Sequence, residues 1–392
     1  MRILHLDDHF ALQGGIGQYV VSLADLLAKH GHENVVAYRD PTTPPTELVQ
    51  SYLLAGAPQD QIGALGALIE EQRPDVAMVH HLSRPELVRA VGEWLPTAAY
   101  VHGFPIVCPG LAKSFRRGDQ VCEQAFGWRC FTTNYLRKCS SARNPATMHR
   151  LIRHTRKLRD AYASLDHLVV GSDYMRELLI QNGFVSHRIS VLAPHFVWAD
   201  DLLAYEPPTD PNTVLFAGRL EIEKGLPYLL RALQLLPDSV RLIVAGDGTQ
   251  RASYEDLAAS LGVRKRVDFV GWLDEAEMAT LYKRCSLLAF CSTWPEPFGK
   301  VGVEALSYGR PVVAFRVGGI PDWLIEGWTG SLVAACDVEG LAESIGGIVA
   351  DRDLGAEMGR NGQRWVAEAL AAEDHVERLM HVFMEAMERE YA

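Results

Sequence analysis

Two glutamates, Glu296 and Glu304, lie eight positions apart on either side of a Pro-Phe-Gly turn. The apolar run 286–291 precedes them, and apolar residues recur at helical spacing after the turn. This pattern predicts a strand, a turn and then a helix. A helix start offers free backbone N–H groups and a positive dipole end, which suit a phosphate or a sugar oxygen. Because both carboxylates can face that site, the segment is equipped to hold a sugar nucleotide.

Two cations, Arg219 and Lys224, lie five positions apart in a strand-to-helix turn that ends at Gly225. An arginine fork and a lysine point charge can both reach a diphosphate there and neutralise charge on a departing nucleotide. The alternative is an ordinary basic helix start, but cations oppose the helix dipole at that end.

A glycine-rich segment, with Gly14, Gly15 and Gly17, lies between the first predicted strand and the first predicted helix. It lacks the spacing of a dinucleotide-binding fingerprint. Glycines at such a turn let backbone N–H groups approach a phosphate closely. A plain tight turn is the alternative.

Three histidines and one aspartate end predicted strands. His102 precedes glycine and proline, where a ligand contact and a structural role are both open. His80 and His81 follow another strand and line either an acceptor site or the surface. Asp247 lies between two glycines after a strand of the second half, and its role is left open.

Strand and helix patterns alternate along the chain, which indicates parallel sheets covered on both faces. Predicted strands of the first half are 3–6, 35–38, 76–79, 98–101, 167–170 and 189–192. Predicted helices there are 17–29, 62–72, 85–94, 146–163 and 174–181. Predicted strands of the second half are 214–217, 242–245, 267–270, 287–290, 312–315 and 332–334. Each candidate residue lies at the carboxyl end of a strand, where open α/β sheets bind ligands.

The chain of 392 residues is too long for one ordinary core. We predict a first domain at 1–199, a proline-containing linker at 200–212, a second domain at 213–372 and a final helix at 373–392. No apolar run is long enough for a transmembrane helix. The N-terminus is typical of a strand rather than a signal peptide, so cytoplasmic residence is expected.

The net charge of −11 argues against a nucleic-acid-binding protein, but one segment is strongly basic. The segment, residues 113–159, contains only two acidic residues, Asp119 and Glu123. Its twelve basic residues are Lys113, Arg116, Arg117, Arg129, Arg137, Lys138, Arg143, Arg150, Arg153, Arg156, Lys157 and Arg159. This patch fits an anionic acceptor or peripheral contact with an anionic inner membrane face; a solvated helix face is the alternative.

The motifs above resemble, in order, those of the retaining glycosyltransferases of family 4. The resemblance rests on the glutamate pair and on segments 14–17, 102–103, 217–225, 246–248 and 318–330, and it spans nearly the whole chain. It implies an α/β protein of the GT-B fold, with two Rossmann-like doubly wound parallel-sheet domains facing a cleft. It also implies that the final helix crosses back to the first domain.

The resemblance implies transfer of a sugar from a nucleoside-diphosphate sugar to an acceptor hydroxyl by front-face attack, without a catalytic cofactor. The acceptor class stays open among glycans, lipid-linked molecules and small molecules. The implied catalytic residues are His102, Arg219, Lys224 and Glu296, with Glu296 on sugar hydroxyls. Glu304 would hold the ribose. The other implied donor-binding residues are Gly14, Gly15, Gly17, Asp247, Phe298, Gly299, Lys300 and Val301. A non-catalytic sugar-nucleotide-binding protein and an epimerase of the same fold are the alternatives.

Four cysteines, Cys108, Cys122, Cys130 and Cys139, fall within a loop-rich insertion at about 104–143. Four thiols this close are compatible with a structural zinc, but no Cys-x-x-Cys pair is present. Unliganded thiols are an equal alternative, and disulfides are disfavoured in the cytosol.

Overall fold

The computed structural model describes residues 1–9, 15–40, 49–115, 120–195 and 205–388. The chain divides into two compact units. The first unit comprises residues 1–117, 122–197 and 370–392, and the second comprises 118–121 and 198–369.

The first unit is built on a fully parallel seven-stranded sheet. The strands of the first unit are β1 (Arg2–Asp7), β2 (Glu33–Tyr38), β3 (Gln50–Leu53), β4 (Val76–His81), β5 (Thr97–Tyr100), the short β6 (Ser114–Phe115), β8 (His167–Val170) and β9 (Ile189–Val191). The short β7 (Gln120–Val121) follows β6 in the chain but belongs to the second unit. The sheet order is β3-β2-β1-β4-β5-β8-β9. Its helices are α1 (Gly15–Lys29), α2 (Pro58–Gln72), α3 (Pro85–Trp94), α4 (Arg129–Arg137), α5 (Pro145–Ala163) and α6 (Asp173–Gln181).

The second unit repeats this plan with six parallel strands. They are β10 (Asp210–Ala217), β11 (Arg241–Ala245), β12 (Val267–Gly271), β13 (Cys285–Phe290), β14 (Val312–Phe315) and β15 (Gly330–Val333). The order is β12-β11-β10-β13-β14-β15. The helices are α7 (Leu226–Leu235), α8 (Arg251–Ser260), α9 (Glu275–Arg284), α10 (Lys300–Ser307), α11 (Val338–Ala350) and α12 (Arg352–Ala369).

The last helix, α13 (Ala372–Glu388), belongs to the first unit. Its apolar face, including Leu379 and Phe383, joins Leu23 and Leu27 of α1 over the central strands of the first sheet. These side chains are buried completely, so α13 completes the apolar core on that face.

The predicted α/β alternation is confirmed, but some elements differ from the sequence-based expectation. The strand β3 was not predicted, because a short edge strand with the sequence Gln-Ser-Tyr-Leu has no continuous apolar run. The helix α4 lies in the segment that we expected to be loop-rich. The expected linker is shorter at its end, since β10 already begins at Asp210. Part of that linker, 200–204, lies outside the described residues.

Candidate functional site

A close backbone contact with Cys291 fixes the position of the turn that carries Lys224. A short 3₁₀ helix, Ile222–Lys224, ends at Gly225, whose φ of 71° is left-handed. A Cβ atom at Gly225 would lie only 1.8 Å from the carbonyl oxygen of Cys291, so only glycine fits between this turn and the end of β13. The N–H of Thr293 donates to the carbonyl of Glu223 at 2.9 Å and closes the same contact.

Lys224 and Glu296 form an ion pair at the carboxyl ends of β10 and β13. The Lys224 Nζ atom lies 2.6 Å from Glu296 Oε1, and the two side chains are only 16% and 7% exposed. The ring of Trp294 lies 5.2 Å from the same ammonium and adds a cation–π contact. Because both charges are withdrawn from water, each depends on the other for compensation. The structure thus brings together two residues to which we assigned different parts of the donor.

The start of α10 lies directly after Glu296. Gly299, with φ of 103°, is the N-cap residue. The carbonyl of Phe298 accepts a 2.6 Å hydrogen bond from Trp323 Nε1, and the buried Trp323 ring packs against Gly302 so closely that a Cβ there would lie 2.0 Å from it. The first N–H groups of a helix have no partner within it, so this end of α10 is suited to an anion. Lys300 and Val301 form its first turn.

Glu304 is held by two neighbours on the exposed side of α10. The Tyr282 hydroxyl donates to Glu304 Oε2 at 3.0 Å, and Lys300 Nζ lies 3.4 Å from Oε1. Tyr308 stacks on Tyr282 with 5.1 Å between ring centroids. Burial, followed by the Glu304 charge, holds the pKa of Tyr282 well above its ordinary value, so its hydroxyl remains a donor.

Arg219 and Asp247 lie in the two loops beside this site. Arg219 is exposed and follows the end of β10. The Asp247 carboxylate makes local contacts, accepting from the N–H of Gly248 at 2.8 Å and lying 3.4 Å from Arg251 Nη1. These contacts engage Asp247 within its own turn, and its role toward a donor stays a prediction.

In the first unit, His102 belongs to a column of buried aromatic rings. Its ring stacks on Tyr100 at 4.4 Å and lies 5.9 Å from His80, which is hydrogen-bonded to His5 at 2.9 Å. Burial lowers the pKa of His102 to about 3 and that of His5 to about 4, so both imidazoles are neutral at neutral pH. His102 Nε2 has no hydrogen-bond partner among the described residues. His102 is therefore suited to binding a hydroxyl rather than to supplying a proton.

The other predicted residues of the first unit have mixed outcomes. Gly15 and Gly17 lie inside the first turn of α1 rather than in a loop before it, and Gly14 lies outside the described residues. His80 is buried, so it is not the surface residue that we considered, and His81 is half-buried.

The four cysteines of the insertion lie near one another, but not as metal ligands. Burial and then the charges of the other three thiols raise the pKa of Cys139 to about 12. Within the described parts of the chain, no three His, Cys, Asp or Glu side chains are grouped as ligands of one metal ion. None of the seven cysteines, all of which lie in described parts of the chain, forms a disulfide. The structure therefore provides no ligand set for zinc, and its presence stays a prediction.

Two family models match the chain. Glycosyltransferase Family 4 matches residues 13–195, and Glycosyl transferases group 1 matches residues 201–365. A glycogen synthase of Mycobacterium tuberculosis is 29% identical over 371 residues, which cover 90% of this chain and 86% of that protein. A D-inositol 3-phosphate glycosyltransferase of Mycobacterium avium is 35% identical over 202 residues, which cover 47% of this chain and 46% of that protein.

Solved structures share the whole architecture. Anabaena HepE in complex with UDP matches with a TM-score of 0.74 and 19% identity, covering 98% of this chain and 100% of HepE. Sucrose-phosphate synthase from Thermosynechococcus elongatus matches with a TM-score of 0.72 and 20% identity, covering 98% of both chains. At these identities the likeness establishes the fold.

The fold, the two family models and the relatives together define the class of protein. The chain belongs to the GT-B glycosyltransferases of family 4. It is an enzyme that uses a nucleotide-sugar donor and transfers the sugar to an acceptor. Among the described residues, no helix combines the length and the apolar character needed to cross a membrane.

Three residues of the donor-side site escaped the sequence analysis. Tyr282 lies 22 positions before the glutamate that it holds, within an ordinary helical pattern. Trp323, in the segment 318–330, donates a hydrogen bond to the carbonyl of Phe298 just before α10. Trp294 gave the best signal, because an aromatic residue directly precedes the Pro-Glu-Pro of the glutamate motif.

Proposed function

We propose that the protein is a retaining glycosyltransferase that moves a sugar from a nucleoside diphosphate to an acceptor hydroxyl. The observation that carries this proposal is the contact between Lys224 and Glu296 beside the start of α10. It joins a cation suited to a diphosphate to a carboxylate suited to sugar hydroxyls, and these groups are adjacent in a nucleotide sugar. Glu304 supplies the carboxylate for the ribose.

The state of the side chains supports front-face attack. Front-face attack needs no side-chain nucleophile, and the Glu296 carboxylate is already engaged by Lys224 through Oε1. His102 is neutral and carries no spare proton. The bond from the anomeric carbon to the diphosphate oxygen therefore breaks as the acceptor oxygen bonds on the same face. The acceptor proton passes to the leaving phosphate, whose charge Lys224 and Arg219 stabilise.

We put UDP first among the nucleotides, because the HepE structure was solved with UDP. The acceptor is a hydroxyl of a glycan, a lipid-linked molecule or a small molecule. Peripheral contact of the first unit with an anionic membrane completes the proposal, and it is supported by the basic side chains exposed on α5.

The donor site is tested by thermal shift with UDP, GDP, ADP and TDP. A ligand at 100 times its Kd stabilises the native state by about 2.7 kcal/mol, so the cognate diphosphate gives a clear shift. Lys224→Ala is expected to lose this shift and roughly 10² to 10³ in transfer rate. Lys265→Ala, at an exposed lysine of the same unit, is the matched control. Near-normal transfer by folded Lys224→Ala would contradict the assigned role.

Retention is tested separately by NMR of the anomeric proton in the first product formed. A product with the anomeric configuration of the donor supports front-face attack. An inverted product overturns the retaining mechanism, even if nucleotide binding and transfer are normal.

A further inference from the structure

The helix α4 of the first unit exposes a row of apolar side chains. Trp128, just before α4, and Leu136 near its end are 72% and 76% exposed, and Tyr135 is also exposed. They lie seven and eight positions apart, hence on one side of the helix. Cys130 and Phe131 pack into a cluster with α5. Tyr135 contacts Phe131 edge to face, with 5.4 Å between ring centroids, so it borders the packed side of α4, whereas Trp128 and Leu136 are the most exposed members of the row.

Leu111 extends this row. Its side chain is 62% exposed, although its φ of 66° is unfavourable for a residue with a side chain. The adjacent Gly110 lies against the backbone just beyond the end of α4, since a Cβ at Gly110 would be 2.6 Å from the carbonyl oxygen of Cys139. We call Leu111, Trp128, Tyr135 and Leu136 the apolar patch.

The segment that carries most of the apolar patch is also strongly basic. Residues 129–163 contain nine basic side chains and a single acidic one, Asp160, in a chain whose net charge is −11. Arg129 lies over the ring of Trp128 at 5.8 Å, and Arg150, Arg153 and Lys157 are exposed on α5. Asp160 is itself bound to Arg159 at 3.0 Å. The helices α4 and α5 thus combine exposed apolar side chains with charged side chains that are mostly basic.

We infer that the apolar patch and the basic side chains around it dock on an anionic lipid bilayer. Tryptophan and tyrosine favour the interface between water and hydrocarbon, where their rings are buried and their polar groups stay hydrated. Exposed leucines enter the acyl boundary, and arginines bind anionic headgroups. The inference gives a defined surface to the peripheral contact of the proposed function, but it does not depend on the transfer reaction.

A soluble polyanion explains this surface less well. An acidic polysaccharide would bind the arginines, but it would leave Leu111 and Leu136 in water. A bilayer satisfies both components at once, because its headgroups are anionic and its interior is apolar.

The test uses vesicle flotation with the full-length protein and no substrate. One vesicle type is phosphatidylcholine alone, and the other also contains about 30% phosphatidylglycerol; each is assayed at about 50 mM and about 500 mM salt. The charge variant is Arg150→Glu with Arg153→Glu, and the apolar variant is Trp128→Ser with Leu136→Ser. Trp272→Ser is the matched control, because Trp272 is 68% exposed in the second unit.

The parent and the Trp272→Ser control are expected to float with anionic vesicles at low salt and not with phosphatidylcholine. Each lost arginine weakens binding roughly fivefold, so the charge variant binds at least about 25-fold more weakly. The apolar variant is expected to bind weakly at low salt and to lose binding at high salt. All variants are sited on exposed residues, and their circular dichroism and melting temperatures establish that they fold.

Absence of flotation at low salt overturns the inference, and so does equal binding to both vesicle types. Binding to a soluble sulfated polysaccharide without flotation also overturns it, in favour of an acidic acceptor. The same preparations are assayed without vesicles for nucleoside diphosphate release. Loss of flotation with normal release removes the membrane contact but leaves the proposed transfer reaction intact, whereas loss of release with normal flotation overturns only the proposed transfer reaction.

Discussion

The ion pair between Lys224 and Glu296 predicts an unusual result for Glu296→Gln. The Glu296 carboxylate forms an ion pair with the Lys224 ammonium, with 2.6 Å between Nζ and Oε1. It therefore competes for the cation that we propose for the diphosphate. Removing its charge while keeping its shape is therefore expected to strengthen binding of free UDP, even as transfer is lost. A hydrogen bond to a charged group contributes about 1.5 to 3 kcal/mol, so release of about half of this makes UDP bind roughly 4- to 12-fold more tightly.

The same variant is expected to be less stable without ligand. An ammonium that is largely buried loses its counter-charge, which costs about 3 kcal/mol or more. For a unit of this size, that corresponds to a melting temperature roughly 6 to 12 °C lower. Saturating UDP replaces the missing charge, so it raises the melting temperature of the variant more than that of the parent.

Calorimetric titration with UDP and thermal melts with and without UDP measure both effects. Glu304→Gln is expected to change UDP affinity in the opposite direction, because it weakens a ribose contact. Glu357→Gln, at an exposed glutamate of α12, is the neutral control. Unchanged or weaker UDP binding by folded Glu296→Gln would refute the competition between carboxylate and diphosphate.

Three further predictions follow from the structure. Tyr282→Phe removes a hydrogen bond to Glu304, the carboxylate that we propose for the ribose, and is expected to weaken UDP binding about fivefold, with Tyr308→Phe as control; equal affinities by calorimetry would contradict the positioning role. Four histidines of the first unit have pKa values lowered far below 6.5 by burial, namely His5 at about 4, His102 and His375 at about 3, and His80 well below 6.5. Because the unfolded chain binds these protons first, stability is complete above about pH 6.5 and falls as the pH drops toward 4, by about 1.4 kcal/mol per histidine per pH unit. Asp7, whose pKa burial raises to about 7, offsets one of these contributions, so chemical denaturation is expected to show a net loss of at least about 3 kcal/mol from pH 6 to pH 5, and a flat profile would contradict the buried neutral state. The zinc prediction requires about one zinc per chain on metal analysis, and zinc-free protein with titratable thiols would contradict it.

The sequence predicted the elements that have strong local patterns. The apolar strands on both sides of the glutamate pair, and α3 from Pro85 to Trp94, match their predicted positions. Hydrophobic periodicity and the turn residues that bound an element are local properties of the sequence. The helix α4 was missed because its sequence, Arg-Cys-Phe-Thr-Thr-Asn-Tyr-Leu-Arg, exposes apolar residues and buries Asn134, which reverses the usual pattern.

The candidate site was predictable as a set of residues but not as a set of contacts. Lys224 and Glu296 are 72 positions apart, and no local sequence pattern predicts that their side chains are in contact. The same holds for His5 and His80, which pair across neighbouring strands of the first sheet at a separation of 75 positions. Motifs identify chemistry by residue type, whereas pairing and burial depend on how distant turns pack.

Backbone contacts at glycines explain why the ion pair has a defined geometry. Gly225 places the Lys224 turn against the carbonyl of Cys291, and Gly318, with φ of 55°, lies against the backbone of Glu296, where a Cβ would be 2.3 Å from the carbonyl oxygen. The lysine and the glutamate are thus fixed from both sides by main chain that has no room for a methyl group. The separation of the two main chains is consequently set by packed turns, so the lysine and glutamate side chains start from fixed positions, as preorganisation for the proposed diphosphate site requires.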